Sequence, residues 1–343
     1  MSRARLQEVG VDVPIVPATS VGSLPPTPEL AQARAAARAR RGVSASAETP
    51  GAVRGPTELE RAAASFWIAK QEELGLDILV DGELNRDDGI AWFAGHLRGF
   101  NRGGLVRAGE GCFIRKPVLA TEVRWTSPVT VPFWSHAQSL TQKPVKATLP
   151  GPYSLMDGSF NQRYPTRRAA CLAIARELRK EAEALVRAGC RIIQLDEPAL
   201  GGRPEELELA GDAIRAATRD LRAYVIVHAC YGALAPVWPA LAGLPADNLD
   251  LECVNSDFAV FRPMAKTPFA QDVSVGVVDV LSPKVDTPET VLRRVKKALT
   301  LLKPERVWVD PDCGLRERTV DEAVAQLAVV STAAREARKG HGG

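Results

Sequence analysis

The feature that most limits what this chain can fold into is an apolar run of strand length that ends abruptly in acids, thiols or imidazole. Asp77-Ile-Leu-Val80 runs into Asp81-Gly82-Glu83, and Arg191-Ile-Ile-Gln-Leu195 into Asp196-Glu197. Tyr224-Val-Ile-Val runs into His228-Ala-Cys230, Leu249-Asp-Leu into Glu252-Cys253, and Arg306-Val-Trp-Val into Asp310-Pro-Asp-Cys313-Gly314. Continuous apolar runs of this length read as parallel strands buried on both faces, and helical stretches separate them. Strand and helix alternate roughly eight times, which is the pattern of an α/β (β/α)8 barrel, whose polar residues gather at the carboxyl ends of its strands. A doubly wound sheet gives similar strings. The barrel is preferred because strand ends far apart in sequence all carry chemistry, whereas an open sheet concentrates it near one switch point.

Residues two apart on a strand point the same way, so the imidazole of His228 and the sulfur of Cys230 can address one point. A lone His-x-Cys also suits a core thiol beside a satisfied histidine. Glu252 and Cys313, at the ends of two further strands, add the other ligand types that zinc takes. There is no Cys-x-x-Cys pair, so this is not a zinc finger or ribbon pattern. Cys253 adjoins Glu252, and alternation turns it away from the point its neighbour faces.

The 343 residues suffice for a large core, and 45% hydrophobic with 25% charged residues is the composition of a soluble enzyme. The net charge of +3 is spread without a basic run, so nucleic acid is not implied. No apolar stretch has the length of a membrane span and no signal-peptide core is present, so the reading is cytoplasmic. Six scattered cysteines fit free thiols in a reducing compartment better than a disulfide framework.

Along the chain, the first dozen residues read as a loose terminus. Ile15 to Ser23 reads as a short strand ending in a turn at Gly22, Leu30–Arg41 as a helix, and Ser44–Pro56 as a loop. Thr57 with Glu60 at capping-box spacing opens a helix that runs toward Gly75. Ala91 to about Thr130 reads as an insertion, with a short helix at Trp92, Phe93 and His96 and a small β-hairpin around Phe113–Pro117. Long helices are expected over Arg167–Ala188 and Val320–Arg338. Residues 1–343 are taken as a single barrel domain with a core of about 15–335.

These segments together resemble the catalytic half of cobalamin-independent methionine synthase. The similarity is carried by Ser20-Val-Gly-Ser23, Asp81-Gly-Glu83 with Arg86, Lys143-Pro-Val-Lys146, Gly151-Pro152, Gln194-Leu-Asp196-Glu-Pro-Ala199, His228-Ala-Cys230-Tyr, Glu252, Asp279 with Ser282-Pro283, and Asp310-Pro-Asp-Cys313-Gly-Leu. The resemblance implies zinc (Zn2+) held by His228, Cys230, Glu252 and Cys313. It implies homocysteine bound at Val21, Gly22 and Ser23, with its amino group held by Glu83 and Asp196; without the resemblance, those acids also read as loop solvation or caps. The substrate thiol would become a zinc thiolate, nucleophilic at neutral pH.

The chain also departs from the family. The family's acid-catalytic histidine falls at Leu281, leaving Asp279 or His96 as replacement acids, and its pterin-packing Trp falls at Gly158. There is no room for the second barrel of full-length members, so single-barrel relatives fit better. From Leu281 and Gly158 a methylcorrinoid is expected as donor ahead of a methyl-folate, with an accessory protein as a possible carrier. The rivals are another zinc thiol alkyltransferase, such as one resembling epoxyalkane:coenzyme M transferase, and a partner-dependent zinc-binding barrel. The two amine-binding acids favour an amino-acid thiol, since a sulfonate thiol would want Arg or Lys there.

Overall fold

The computed structural model describes residues 2–41, 54–109, 112–230, 232–282 and 284–340; most of the loop expected over Ser44–Pro56 lies outside them. Seven parallel strands form one curled sheet in chain order: Leu79–Val80, Val145–Pro150, Ile192–Asp196, Tyr224–Ala229, Asn248–Leu251, Asp272–Gly276 and Val307–Asp310. The extended segment around Ala18 joins the two edges. Val309 N donates to Pro17 O and Thr19 N to Val309 O, both at 3.0 Å, while Asp77 N donates to Ala18 O at 2.9 Å. The curled sheet thereby becomes a barrel without an open edge.

Each strand is apolar on its helix-facing side because helices cover it. Glu58–Leu74 begins with the Thr57–Glu60 capping box and stops at Gly75 in the left-handed conformation. Arg167–Ala188 is capped by Thr166 and ends at a left-handed Gly189, over the span read from sequence. The last helix, Val320–Lys339, carries a second capping box, Thr319 with Glu322. The insertion is larger than a hairpin. Leu105–Gly109 pairs with Cys112–Arg115, and Arg98–Asn101, Val118–Arg124 and Phe160–Asn161 form a three-stranded sheet beside it.

The expected loose terminus is corrected by the fold. Ser2–Glu8 is a helix, and Leu6, Val9, Val11 and Val13 are buried in one cluster with Ile78, Ile192, Tyr224, Ile226 and Trp308. These residues plug the amino-terminal end of the barrel, where the Tyr224 and Trp308 rings stack at 5.3 Å. Burying four aliphatic side chains at about 1.5–3 kcal/mol each offsets most of the entropy of ordering a short helix, and the helix's own hydrogen bonds supply the rest.

Nearer the opposite end the interior is polar. Lys146, Gln194, Asp250, Ser274 and Asp310 are all buried there, where such barrels ordinarily stack branched aliphatics. Among the described residues, no helix is long and apolar enough to cross a membrane.

Candidate metal and substrate site

His228 is the penultimate residue of Tyr224–Ala229, and Cys230 follows it by two. Cys313 lies in the turn after Val307–Asp310. One ligating atom from each of the three falls within 4.8 Å of the others. The two sulfurs are 3.6 Å apart, against about 3.8 Å for thiolates bound tetrahedrally at a zinc–sulfur length near 2.3 Å.

Cys313 is pulled down to about 4 by its hydrogen bond with Cys230 and by His228, while that shared proton and burial push Cys230 well above the usual thiol range. The pair thus carries one thiolate. Nε2 of buried His228 has no hydrogen-bond partner among the described residues, a cost that a metal bond removes. Donor types, spacing and an unsatisfied imidazole together fit a soft or borderline cation such as zinc.

Glu252 opens the loop after Asn248–Leu251, its N–H on Ala229 O at 3.2 Å. Its carboxylate stands outside the three-atom group; beside a thiolate, a carboxylate gains by approaching only if a cation lies between them. Cys253 is buried in the apolar core, also outside the group.

The Val21–Ser23 turn docks directly on the Cys313 loop. Leu315 N donates to Ser23 O at 2.7 Å, and a Cβ on Gly314 would stand 2.0 Å from Ser23 Oγ, so only glycine permits this approach. A Cβ on Gly22 would likewise lie 2.6 Å from Glu83 Oε1. Glu83 is buried, with Oε2 accepting from Arg86 Nε and Arg316 Nη2 at 3.1 Å each and Oε1 accepting from Thr148 Oγ1 at 3.0 Å. Burial works against its charge, but the two guanidinium groups outweigh it and hold its pKa below the usual range.

Asp196 is the reverse case. Burial and the Glu83 charge push it up to about 7, against the opposing pull of His228 and of Gln194. Gln194 Nε2 donates to Asp196 Oδ1 at 2.7 Å and to Val21 O at 2.9 Å, tying the acid to the turn. One carboxylate held charged and one near its titration point suit an arriving ammonium group, which would ionise the second.

A family profile described as "Cobalamin-independent synthase, Catalytic domain" matches residues 16–336. The chain belongs to this family. A 5-methyltetrahydropteroyltriglutamate--homocysteine methyltransferase of Streptomyces avermitilis is 36% identical to it, over 99% of this chain and 45% of that protein. One of the same name from Chelativorans sp. is 35% identical over 98% of the chain and 44% of that protein. The chain therefore spans less than half the length of these relatives. A solved B12-independent methionine synthase from Shewanella sp. W3-18-1, in complex with selenomethionine, superposes with a TM-score of 0.81 at 25% identity, covering 95% of this chain and 99% of that one.

At the positions where this chain departs from the cobalamin-independent synthase pattern, Leu281 is 60% exposed. Asp279 Oδ1 is occupied by the N–H groups of Leu281 and Ser282 at 2.8 and 3.3 Å. His96 is buried, with Nδ1 2.8 Å from Trp92 O and its ring 4.3 Å from the Trp92 ring. A Cβ on Gly158 would meet Ile90 Cγ2 at 2.9 Å, so Ile90 fills the space a larger residue would enter.

Sequence reasoning missed three residues of the site. Arg316 reaches Glu83 from far along the chain. Asp312 accepts from the N–H groups of Cys253, Val254 and Asn255 at 2.9, 3.0 and 3.1 Å, holding the Glu252 loop. Asp250 lies beside His228. The Asp-Pro-Asp-Cys-Gly run signalled Asp312 as a turn residue, but nothing local marked its partners.

Proposed function

We propose that this chain transfers a methyl group from a 5-methyltetrahydropteroyl polyglutamate to the sulfur of homocysteine, forming methionine, with zinc at His228, Cys230 and Cys313 and Glu252 as fourth ligand. The observation that supports this reading is the docking of the Val21–Ser23 turn on the Cys313 loop, with Glu83 against Gly22 of the same turn. Zinc, when bound, lowers the pKa of a coordinated substrate thiol so that sulfur is nucleophilic at neutral pH.

The protein's own groups do the rest. Glu83 and Asp196 hold the ammonium, and Gly22 lets Glu83 come close to the turn. Arg86 and Arg316 keep Glu83 charged. Reduced thiols at the centre suit a cytoplasmic setting.

The corrinoid donor expected from Leu281 and Gly158 is set aside. The relatives' names specify a methyltetrahydropteroyltriglutamate donor, and a leaving nitrogen near an exposed rim can take its proton from solvent in place of a fixed histidine.

The test is methionine formation by zinc-loaded protein from homocysteine and 5-methyltetrahydropteroyl-triglutamate. Methionine is expected, with 2-mercaptoethanesulfonate a poor acceptor. Absence of product with homocysteine, or equal methylation of the sulfonate thiol, would overturn the reading.

A further inference from the structure

The polar barrel interior directly beneath the thiol pair contains a contact that the ligand set does not use. Asp250 and His228 are direct neighbours across parallel strands, and Asp250 Oδ1 lies 3.0 Å from His228 Nδ1. Both side chains are almost wholly buried, at 1% and 2% exposure. The remaining oxygen of Asp250 has no hydrogen-bond partner among the described residues, and no arginine or lysine lies within ion-pair distance of it among them. A carboxylate sealed in this way, with the Lys146 ammonium and the Asp310 carboxyl acting on it only from beyond hydrogen-bond reach, is costly unless the His228 imidazole offers it an N–H.

We propose that Asp250 is the positioning residue for the metal-binding histidine: it accepts a hydrogen bond from Nδ1–H, fixes the ring's tautomer and presents Nε2 to the metal between Cys230 and Cys313. A metal on Nε2 makes the Nδ1 proton more acidic and strengthens its bond to Asp250, while the carboxylate raises the donor strength of Nε2. Strand register makes the arrangement rigid. The two Cα positions are paired, so neither side chain can leave the other without leaving the barrel interior. The inference rests on the metal site proposed above and deepens it.

The test measures zinc affinity by competition with a chromophoric chelator for the parent, Asp250→Asn, Asp250→Ala and Cys313→Ser. Absorption spectra of the cobalt(II)-substituted proteins and melting temperatures of the metal-free ones accompany it. The parent is expected to bind one zinc tightly and Cys313→Ser to lose it. Asp250→Ala is expected to bind 10- to 100-fold more weakly, the range found when such a partner is removed, and Asp250→Asn, whose amide oxygen still accepts the N–H, to recover part of the loss.

The cobalt bands of Asp250→Ala should shift, because the ring is free to turn, whatever its effect on metal-free stability. If the parent and Cys313→Ser hold zinc equally, the metal reading itself falls, and this inference with it. A parent that binds zinc and an Asp250→Ala protein that matches it in affinity and in cobalt spectrum would overturn the role of Asp250 alone. Should Asp250→Ala not fold, Asp250→Leu, close in size and unable to accept the N–H, takes its place: zinc affinity and cobalt bands unchanged from the parent overturn the proposal.

Discussion

Asp196 and Glu83 show how two buried carboxylates at neighbouring parts of the barrel mouth acquire opposite electrostatics. Glu83 is locked between Arg86 and Arg316, so replacing it leaves two buried guanidinium groups uncompensated and damages the fold along with the site. Among the described residues Asp196 has only Gln194 as a side-chain hydrogen-bond donor, which makes it the better probe of substrate binding. Asp196→Asn should weaken homocysteine binding to the zinc-loaded protein by roughly 1.5–3 kcal/mol, the scale of a charge-assisted hydrogen bond. Calorimetric titration with homocysteine, and with a thiol that lacks the amine, checks this. Equal weakening for both thiols would show that Asp196 does not meet the ammonium.

At the scale of elements, the helices and turns around the site are tied by buried or half-buried acids. Asp312 holds three successive N–H groups of the loop that carries Glu252. Asp312→Ala should cost roughly 1–3 kcal/mol for each donor left unsatisfied and not reached by water, read as a fall in the urea midpoint together with faster zinc release.

Farther out, Arg167 bridges Asp157 at 2.6 Å and Glu206 at 2.7 Å, and Tyr153 donates to Glu206 at 2.8 Å. This joins the helix Pro152–Asp157 to the turn Pro204–Glu206. The hydrogen bonds from Arg167 hold Glu206 below its usual pKa, against the opposing effect of burial. Its contribution is therefore present above the unfolded value near 4.5 and is lost as pH falls through the depressed folded value. Arg167 is more than a third exposed, so Arg167→Ala should cost no more than about 1 kcal/mol at neutral pH. That difference from the parent should shrink to nothing in acid; a difference that persists at pH 2 would assign the effect to packing.

For the molecule as a whole, the critical contact is the closure of the barrel, and Arg338 at the end of the last helix secures it. Its guanidinium donates to Ile15 O at 2.9 Å and Val16 O at 3.1 Å and pairs with Asp77, whose carboxylate accepts from Ala18 N at 2.8 Å. Three remote segments meet there, and Val16 is held at a positive φ of 48°. Arg338→Ala should lower stability by about 1–3 kcal/mol. Denaturant unfolding with an unchanged slope and a lower midpoint is the expected result, and an unchanged midpoint would show that strand pairing alone closes the ring. The plug of Leu6, Val9, Val11 and Val13 seals the far end of the same barrel. The thiol pair and the buried acids thus stand at one mouth while the other is packed shut.

Much of this could be read from the chain because it depends on neighbours in sequence. The Thr57–Glu60 box, the span Arg167–Ala188 and the strand-end positions of Asp196, His228 and Cys313 follow from periodicity and local hydrogen bonding, which act over a few residues. The first segment was misread because Leu6 and Val9 make sense only against Ile192, Tyr224 and Trp308, and Asp250 went unnoticed because a charge inside an apolar run looks like an interruption. Only the tertiary structure decided that Arg316 should reach Glu83 across 233 residues of sequence, that Asp312 should hold the loop after Asn248–Leu251, two strands back, and that Asp250 should lie against His228. Those contacts arise from strand register and ring closure, and both are set by the burial and hydrogen-bonding requirements of the whole sheet, to which no single segment holds the key.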